Sequence, residues 1–506
     1  MAKCNIVDVF GPVKTWDIFI YNFLLTLKIA PPPLIISSGG EFEGAWVKEP
    51  VPGMYGWMMS FDATSLYPTI IRQWNMSPET IVMDYRENIK VDDVLKCEQG
   101  LSNYTFDNNY SVAANGTFYR KDKKGILPSL MEHLMVQRKT VKKEMLKLEQ
   151  EYQDTHNDIL VGKISALNNE QMAIKILANS GYGAITQSSF RYYVLAIGEA
   201  ITLTGQVCDR HLEKTLNVYM NRLLKTSDID YVVAGDTDSV YLDVDQIVKK
   251  VCKNLDDKEK IVDFLESLAV KLQDTIIKES TDHIFELCNC YESLMSYKLD
   301  TISEKAIWTA KKRYCMLVHS AEFVRYHPPK MKIMGMDIIK SSTPKSVRNE
   351  LKATLPIIFD KGEDALRLFV DGVKSRFNRL AVADIAFPRG TNDIEKWVSG
   401  DSYKSRVPVH VRGAINFNNL IKKFTKYDKI KSGDKVKFVY LKMPNPIKEN
   451  VISFPASLSF PSEFGLDSFI DRDTQFEKAF ISPLEGITTA VKWNLVEKSS
   501  LEDFFG

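Results

Sequence analysis

The sequence contains few of the features that mark secreted, metal-finger or membrane proteins. Its seven cysteines are scattered and include no Cys-x-x-Cys pair, so neither a zinc ribbon nor a disulfide framework is supported. Reduced, buried thiols are the simpler interpretation. No apolar run reaches membrane-spanning length, and the opening Met-Ala-Lys-Cys lacks the order of a secretion signal. We therefore expect a cytoplasmic protein that is neither secreted nor bound to a membrane.

A charge excess of either sign is also missing. The 66 Lys and Arg residues nearly balance the 65 Asp and Glu residues, which gives a net charge of +1. The overall charge therefore neither requires nor excludes a nucleic-acid partner, and only local clusters can indicate one. A chain of 506 residues is longer than one core usually holds, so several subdomains are expected.

What the sequence does contain is a pair of acids at the tip of a predicted hairpin. In residues 231–243, Asp236 and Asp238 lie at a Gly-led turn between two β-branched apolar runs. Residues i and i+2 of an extended chain point to the same side, so both carboxylates are expected to face one point. Two carboxylates that repel each other favour a divalent cation between them.

A second predicted strand ends in another acid. Residues 58–62 are apolar up to Asp62, and a turn and an apolar segment follow. The strand end would bring Asp62 beside the first two acids and would offer the carbonyl oxygen of Ala63 as a neutral ligand. Hard oxygen ligands of this kind suit Mg²⁺. Taken alone, Asp62 fits a solvated turn acid better, since isolated turn aspartates usually are.

Helical periodicity is clear in the middle of the chain. Residues 129–153 and 168–180 predict two helices of an antiparallel hairpin, and residues 195–224 predict a further helix. Residues 84–124 predict hairpins and loops, and residues 408–443 predict strand and loop.

The helical hairpin carries cations on regular faces. Arg138 and Lys142 are four residues apart, and Lys175, Asn179 and Tyr182 follow one face of the second helix. Arg and Lys on facing helices would clamp a triphosphate, with planar contacts from Arg and a point charge from Lys. Spacing alone fits ordinary solvated helix charges at least as well.

A short basic run follows Trp308. It suits contact with a nucleic-acid backbone, although such runs are usually solvated surface. Its residues are Lys311, Lys312, Arg313 and Tyr314.

Together these segments resemble the family B (polymerase-alpha-like) DNA polymerases, and are closest to the replicative members of T-even-type phages. Matching motifs that occur in the family's order make coincidence implausible. The segments that resemble family motifs are residues 60–68, 175–183, 190–193, 235–239, 311–314, 332–344 and 409–413.

The resemblance implies a DNA-directed DNA polymerase that uses two Mg²⁺ ions, with Mn²⁺ as a substitute. Asp62 and Asp238 would be the main metal ligands, the Ala63 carbonyl would assist, and Asp236 would be a third catalytic carboxylate. Glu304 lies where the family often has an acid near the metals. Tyr67 would pack under the sugar and exclude a 2′-hydroxyl. The residues implied in dNTP binding are Ser65, Leu66, Tyr67, Arg138, Lys142, Lys175, Asn179 and Tyr182.

The same resemblance implies partners and a domain plan. Lys311, Lys312, Arg313 and Tyr314 would contact primer-template DNA, and the tail would bind a sliding clamp through Leu501, Phe504 and Phe505. The fold class would be α+β with right-hand polymerase architecture: an antiparallel-sheet palm, helical-hairpin fingers and a mixed thumb. The implied domains are a docking segment (1–33), the palm (34–124 and 188–335), the fingers (125–187) and the thumb (336–506).

The sequence departs from the family pattern at three places, one of which is a shorter connection between the finger helices near residues 150–168. No exonuclease motif precedes residue 34, so we expect the proofreading exonuclease on a separate chain in viral replication; a truncated chain is the alternative. The family's usual Leu before Tyr182 is Gly181 here, which we expect to weaken the helix by about 1 kcal/mol relative to Ala.

Two rival functions stay open at this point. A polymerase of ribonucleotides, such as a primase, would not need Tyr67 under the sugar. A catalytically idle subunit that binds DNA or a clamp would have no reason to keep buried carboxylates.

Overall fold

The computed structural model describes residues 4–86, 89–96, 109–400, 402–424 and 426–495. The predicted clamp-binding residues Leu501, Phe504 and Phe505 lie outside these ranges. The chain divides into two units, each of which is described by itself. The first comprises Met1–Pro50, Tyr55–Ala306 and Leu317–Met331, and the second comprises Val51–Met54, Ile307–Met316 and Lys332–Gly506.

The first unit is mainly helical and contains a large and a smaller antiparallel sheet. Its helices are α1 (Pro12–Thr26), α2 (Leu66–Gln73), α3 (Val91–Lys96), α4 (Ile126–Thr155), α5 (Ile159–Ile185), α6 (Leu195–Leu224), α7 (Asp245–Val251), α8 (Lys258–Leu272) and α9 (Lys278–Leu287). A π-helical turn, Gln273–Ile277, joins the last two.

The central sheet of the first unit is built from antiparallel pairs around one buried strand. Its strands run in the order β10-β9-β8-β2-β7-β6, and β2 pairs antiparallel with β7 and β8. Met58 to Phe61 of β2 are buried, because the strand has neighbours on both edges and a core on both faces. The strands of this sheet are β2 (Met58–Ala63), β6 (Val232–Asp236), β7 (Ser239–Asp243), β8 (Tyr297–Ala310), β9 (Arg313–Ala321) and β10 (Val324–Met334), and β1 (Gly53–Tyr55) pairs with β8. Residues 307–316 of β8 and β9 and residues 332–334 of β10 are counted in the second unit.

A smaller antiparallel sheet, in the order β3-β5-β4, lies between α2 and α4 in the chain. Its strands are β3 (Ile81–Arg86), β4 (Tyr110–Val112) and β5 (Thr117–Arg120), and β1 (Gly53–Tyr55) precedes them all. The prediction of hairpins and loops for residues 84–124 is confirmed for β4 and β5 but misses the short helix α3.

The predicted helical hairpin is present. Helix α4 ends at Thr155 and is followed by His156, whose backbone is left-handed with φ 52°, and α5 begins at Ile159. The two helices pack along each other. Helix α6 has the bounds that the sequence predicts, and its buried Leu212, Leu216 and Met220 follow helical spacing along one face.

The second unit combines helices with a short antiparallel sheet. Its helices are α10 (Lys345–Asp360), α11 (Glu363–Phe377), α12 (Val382–Ile385), α13 (Ile394–Trp397), α14 (Val409–Leu420), α15 (Arg472–Phe476) and α16 (Ser482–Ala490). Its further strands are β11 (Phe387–Gly390), β12 (Val398–Ser399), β13 (Ser402–Tyr403), β14 (Lys435–Tyr440) and β15 (Val451–Pro455), of which β11, β14 and β15 form one sheet.

The α+β class predicted from the sequence is confirmed by this mixture of helices and antiparallel sheets. The strand-and-loop prediction for residues 408–443 is wrong for its first part, since α14 occupies Val409–Leu420. Within the ranges that the structure describes, no helix is both long and apolar enough to cross a membrane.

Candidate active site

Two neighbouring strands bring Asp62 and Asp238 together. Asp62, near the end of β2, is paired in register with Ser239 at the start of β7. One residue further on, the N–H of Ala63 donates a hydrogen bond to the carbonyl oxygen of Asp238 at 2.7 Å. The predicted convergence of these two acids therefore has a backbone basis, because the sheet register fixes where each strand ends.

The hairpin between β6 and β7 is confirmed, but its acids do not share one extended strand. Asp236 is the last residue of β6, Thr237 has a left-handed backbone with φ 65°, and Asp238 lies in the turn. The N–H of Asp238 donates to the carbonyl oxygen of Asp236 at 2.6 Å. Strand alternation therefore does not apply across this turn, and the expectation that both carboxylates face one point stays a prediction.

Space next to this turn is tight. A Cβ atom added to Gly235 would come within 2.7 Å of the Trp46 ring. The N–H of Thr237 donates to the Trp46 carbonyl oxygen at 3.1 Å, and the Thr237 hydroxyl donates to the Asp236 carboxylate at 3.2 Å. The glycine before the acids therefore serves close packing by the segment that contains Trp46.

The surroundings of Asp62 disfavour the ionised form of its carboxyl group. Burial raises its pKa to about 7, and the negative charges of Asp238 and Asp300 act in the same direction. The positive charges of Lys175 and Lys142 act in the opposite direction. Both lysines from the helical hairpin thus share the electrostatic environment of the β2 acid.

Two further acids near Asp62 were not predicted from the sequence. Asp300 on β8 accepts a hydrogen bond from the Ser60 hydroxyl at 3.3 Å, and its charge acts on Asp62. Asp209 on α6 is buried, and its Oδ1 accepts a hydrogen bond from the Tyr297 hydroxyl at 2.7 Å. Burial raises the pKa of Asp209 well above its usual range. Neither acid belongs to a local motif, so only the strand and helix packing reveals them.

The negative charge of Asp62 and Asp238 suits a divalent cation, although their side chains do not form a preformed metal-binding cluster. In the described part of the chain, no group of three or more His, Cys, Asp or Glu side chains is arranged as a metal-binding cluster. The predicted ligand set has only two carboxylates, Asp62 and Asp238, and one carbonyl oxygen from Ala63. Because repulsion and burial disfavour ionised Asp62, a bound cation would stabilise the carboxylate form.

Arg138 is hydrogen-bonded to Ser65, the residue that precedes α2. Its Nη1 donates to the Ser65 hydroxyl at 3.0 Å, and its Nε donates to Gln171 Oε1 on α5 at 3.3 Å. Burial lowers the pKa of the guanidinium group, and the charges of Glu322 and Asp62 oppose that shift. Gln171 was not predicted; it lies four residues before Lys175 and links the two helices of the hairpin.

The other predicted phosphate contacts lie on the same hairpin. Lys142 Nζ donates to Glu322 at 2.6 Å. Lys175 and Asn179 are exposed on α5, one helical turn apart.

The start of α2 presents backbone donors. Ser65 precedes the helix with a left-handed backbone of φ 54° and ψ 65°, and Leu66 is its first residue. Because the first N–H groups of a helix lack intrahelical partners, they attract anions. The predicted role of the Ser65, Leu66 and Tyr67 amides is consistent with this geometry.

Tyr67 and Tyr182 are in contact. Their ring centroids are 4.7 Å apart, with 44° between the ring planes. Burial raises the pKa of both hydroxyls, so each stays a neutral phenol at physiological pH. A Cβ added to Gly205 on α6 would contact Leu66 and Tyr67, so this glycine leaves the space that the start of α2 occupies.

The predicted DNA-binding run lies in the second unit, at the turn between β8 and β9. Lys311 and Lys312 are exposed, whereas Tyr314 is buried and stacks on Trp308 at 5.0 Å between centroids. Arg313 Nη2 donates to Asp337 Oδ2 at 2.9 Å. The two lysines are therefore the members of this run best placed to meet a ligand.

Glu304 has a full set of partners. Lys258 Nζ lies 2.8 Å from its Oε1, and His319 Nε2 lies 3.1 Å from its Oε2. Hydrogen bonding from His319 lowers the pKa of Glu304 to about 2, and Lys258 adds to the shift. Glu304 therefore forms an ion pair with Lys258 and a hydrogen bond with His319.

Comparison with known proteins agrees with the motifs. A family model described as DNA polymerase family B matches residues 22–461. The chain belongs to DNA polymerase family B. The resemblance indicated by the sequence motifs is therefore confirmed at the level of the family.

Proteins similar to this chain include two phage enzymes. The DNA-directed DNA polymerase of Escherichia phage RB69 is 33% identical and that of Enterobacteria phage T4 is 32% identical. Each match covers 100% of this chain but only 61% of the relative. A more distant relative, DNA polymerase 1 of Pyrococcus abyssi, is 24% identical over 85% of this chain and 46% of its own length.

Proposed function

We propose that this chain is a DNA-directed DNA polymerase subunit that adds dNTPs to a primer 3′-hydroxyl in viral DNA replication. The carrying observation is the pairing of Asp62 with Asp238 through β2 and β7, within reach of the charges of Lys142 and Lys175. Membership of family B, and similarity to phage DNA polymerases over the whole of this chain, support the same activity.

The reaction is attack by the primer 3′-oxygen on the α-phosphorus of the dNTP, with pyrophosphate as the leaving group. Asp62, Asp238 and the Ala63 carbonyl would hold two Mg²⁺ ions, whose chemistry is to neutralise charge on the attacking and leaving oxygens. Asp236 would support this group from the end of β6. No protein nucleophile is required.

The remaining site residues would bind and orient the nucleotide. Arg138, Lys142 and Lys175 would hold the triphosphate, and the first N–H groups of α2 would meet it from below. Tyr67 would close the space beside the sugar 2′-carbon, and Asn179 with Tyr182 would line the base pair. The contact between the Tyr67 and Tyr182 rings supports this placement of the two tyrosines on one side of the nucleotide site.

The domain plan belongs to the same proposal. The palm would comprise 34–124 and 188–335, the fingers 125–187, and the thumb 336–506. The sheet that carries the acids supports the palm assignment, and the α4–α5 hairpin supports the fingers. Binding of primer-template DNA by Lys311, Lys312, Arg313 and Tyr314 is proposed on the exposure of the two lysines.

Three further predictions stay predictions. They are a sliding clamp bound by Leu501, Phe504 and Phe505, a separate exonuclease chain that docks on residues 1–33, and a location in the host-cell cytoplasm. Deletion of 498–506 should abolish clamp-stimulated processivity, and unchanged stimulation would remove the clamp prediction.

Primer extension with Asp238→Asn tests the proposed function. The substitution keeps the size of the side chain but removes the charge that acts on Asp62, so incorporation should fall at least about 100-fold. Asp228→Asn removes an exposed turn acid that precedes the same hairpin and should leave the rate unchanged. Equal rates for the two variants would refute the assignment.

A further inference from the structure

The turn between β9 and β10 places a carboxylate against the cations assigned to the triphosphate. Glu322 accepts a hydrogen bond from Lys142 Nζ at 2.6 Å. Its negative charge also acts on Arg138, one helical turn earlier on α4. One acidic side chain thus acts on the two basic residues of α4 that are assigned to the triphosphate, Arg138 and Lys142.

The backbone at this turn is unusual for the residues that occupy it. Glu322 and Phe323 have φ angles of 49° and 66°, a left-handed pair that two-residue hairpin turns usually fill with Asn and Gly. The N–H of Glu322 donates to the carbonyl oxygen of Asp300 at 2.8 Å and helps to fix the turn. A residue kept in an unfavourable conformation beside a substrate site is a candidate for a functional role.

The ion pair joins α4 to this hairpin. A further hydrogen bond, from the N–H of Arg325 to Gln150 Oε1, measures 3.4 Å. The side chains of Lys142 and Glu322 are 29% and 34% exposed, so solvent screens them less than a fully exposed pair. An anion that binds Lys142 Nζ competes with this carboxylate.

We propose that Glu322 occupies the phosphate position on Lys142 in the nucleotide-free protein and competes with the incoming triphosphate. The inference rests on the proposed function. Because a triphosphate carries several negative charges and a carboxylate carries one, the triphosphate displaces Glu322 more readily than a weaker anion does. Glu322 thereby sets a threshold that favours fully charged nucleotides, and it recaptures Lys142 when pyrophosphate leaves.

Glu322→Gln tests this competition with little change of shape. The KM for dNTP should fall about 3- to 5-fold, the scale of one partly screened ion pair, and inhibition by pyrophosphate should strengthen by a similar factor. kcat should not rise. The matched control is Glu259→Gln, which removes a carboxylate 3.2 Å from Arg325 and outside the nucleotide site, and it should change neither constant.

Lys142→Met separates competition from a general effect of charge. In that background Glu322→Gln should lower the KM by clearly less than in the wild type, since the residue for which both anions compete is gone and only the action of the Glu322 charge on Arg138 remains. An unchanged KM in the single variant, or an equal fall with and without Lys142, would overturn the proposal. If the wild-type chain extends no primer, the proposed function fails by itself. The dissociation constant for inorganic tripolyphosphate then supplies the same comparison, and it should fall with Glu322→Gln.

Discussion

Tyr67 combines burial with a position at the first turn of α2. Its ring contacts Tyr182 on one side, and the glycine at 205 leaves room for it on the other. In the proposed function, the Tyr67 ring lies beside the sugar and excludes a 2′-hydroxyl.

Tyr67→Ala should reduce discrimination against ribonucleotides. Removal of the ring opens this space, and the ratio of kcat/KM for dNTP over rNTP should fall about 10- to 100-fold. Tyr67→Phe keeps the ring and should keep the ratio. Single-nucleotide incorporation with both substrates measures it, and an equal loss in both variants would assign the effect to the hydroxyl instead.

Glu304 contributes to stability through charge. Its pKa in the folded chain is about 2, below the ordinary value of 4.5. A depressed pKa means that the folded state favours the carboxylate, so this contribution is present above pH 4.5 and is lost as the pH falls towards 2.

Glu304→Gln should consequently flatten the acid side of the stability profile. The free energy of unfolding, measured by urea titration between pH 7 and 3, should decrease less steeply in the variant than in the wild type. The difference between the two proteins should be largest at pH 7. A difference that grows on acidification would contradict the assigned sign.

At the scale of elements, the packing of α1 on α5 explains the departure at Gly181. A Cβ at this position would lie 2.7 Å from the Trp16 ring and 2.5 Å from Met131. The Trp16 Nε1 donates to the Leu177 carbonyl oxygen at 2.9 Å. The glycine that the sequence suggests only as a weak point in the helix therefore admits a buried indole.

Gly181→Ala should destabilise the chain although alanine favours helix. The gain in helix propensity is about 1 kcal/mol, whereas overpacking against a rigid ring costs about 1–3 kcal/mol. Chemical denaturation should show a net loss of about 1 kcal/mol. In a Trp16→Phe background the smaller ring leaves space, and the same substitution should become neutral or stabilising.

Elements with strong periodicity were predictable, and elements shaped by neighbours were not. Helix α6 follows its pattern of apolar residues, and its predicted bounds are confirmed. Helix α14 begins with Val409 and Val411, which favour strand, but it packs onto β15 so closely that a Cβ at Gly413 would lie 2.5 Å from Ser453 Oγ. Tertiary packing overrides the local preference there.

The same division holds for the candidate site. Asp62, Asp236 and Asp238 lie at or next to the ends of strands in recognisable motifs, so their segments were predictable. Asp300 and Asp209 acquire meaning only because β8 pairs with β2 and because α6 packs beside them, and neither fact is encoded in a short motif.

At the scale of the whole molecule, the net charge is close to zero, so any attraction to DNA depends on local basic clusters. With a net charge of +1, the chain as a whole does not attract DNA strongly. Affinity for a phosphate backbone must then come from patches such as the exposed Lys311 and Lys312.

Lys311→Gln and Lys312→Gln should each weaken binding of primer-template DNA. Each should also reduce the slope of log affinity against log salt by about 1, because one phosphate contact is lost. Lys260→Gln, which removes an exposed lysine on α8, should leave the slope unchanged. Fluorescence anisotropy over a salt series measures all three, and identical slopes would exclude this turn from the DNA contact.

The central claim is that the Asp62 and Asp238 pair supports nucleotidyl transfer. Its most direct test is the single-turnover rate of incorporation of one complementary dNTP onto a primer-template with Mg²⁺, for the wild type and for Asp62→Asn. The wild type should extend the primer, and Asp62→Asn should be slower by about 1,000-fold, which corresponds to several kcal/mol of transition-state stabilisation. A wild type that inserts nothing, or a variant that keeps the wild-type rate, would contradict the account.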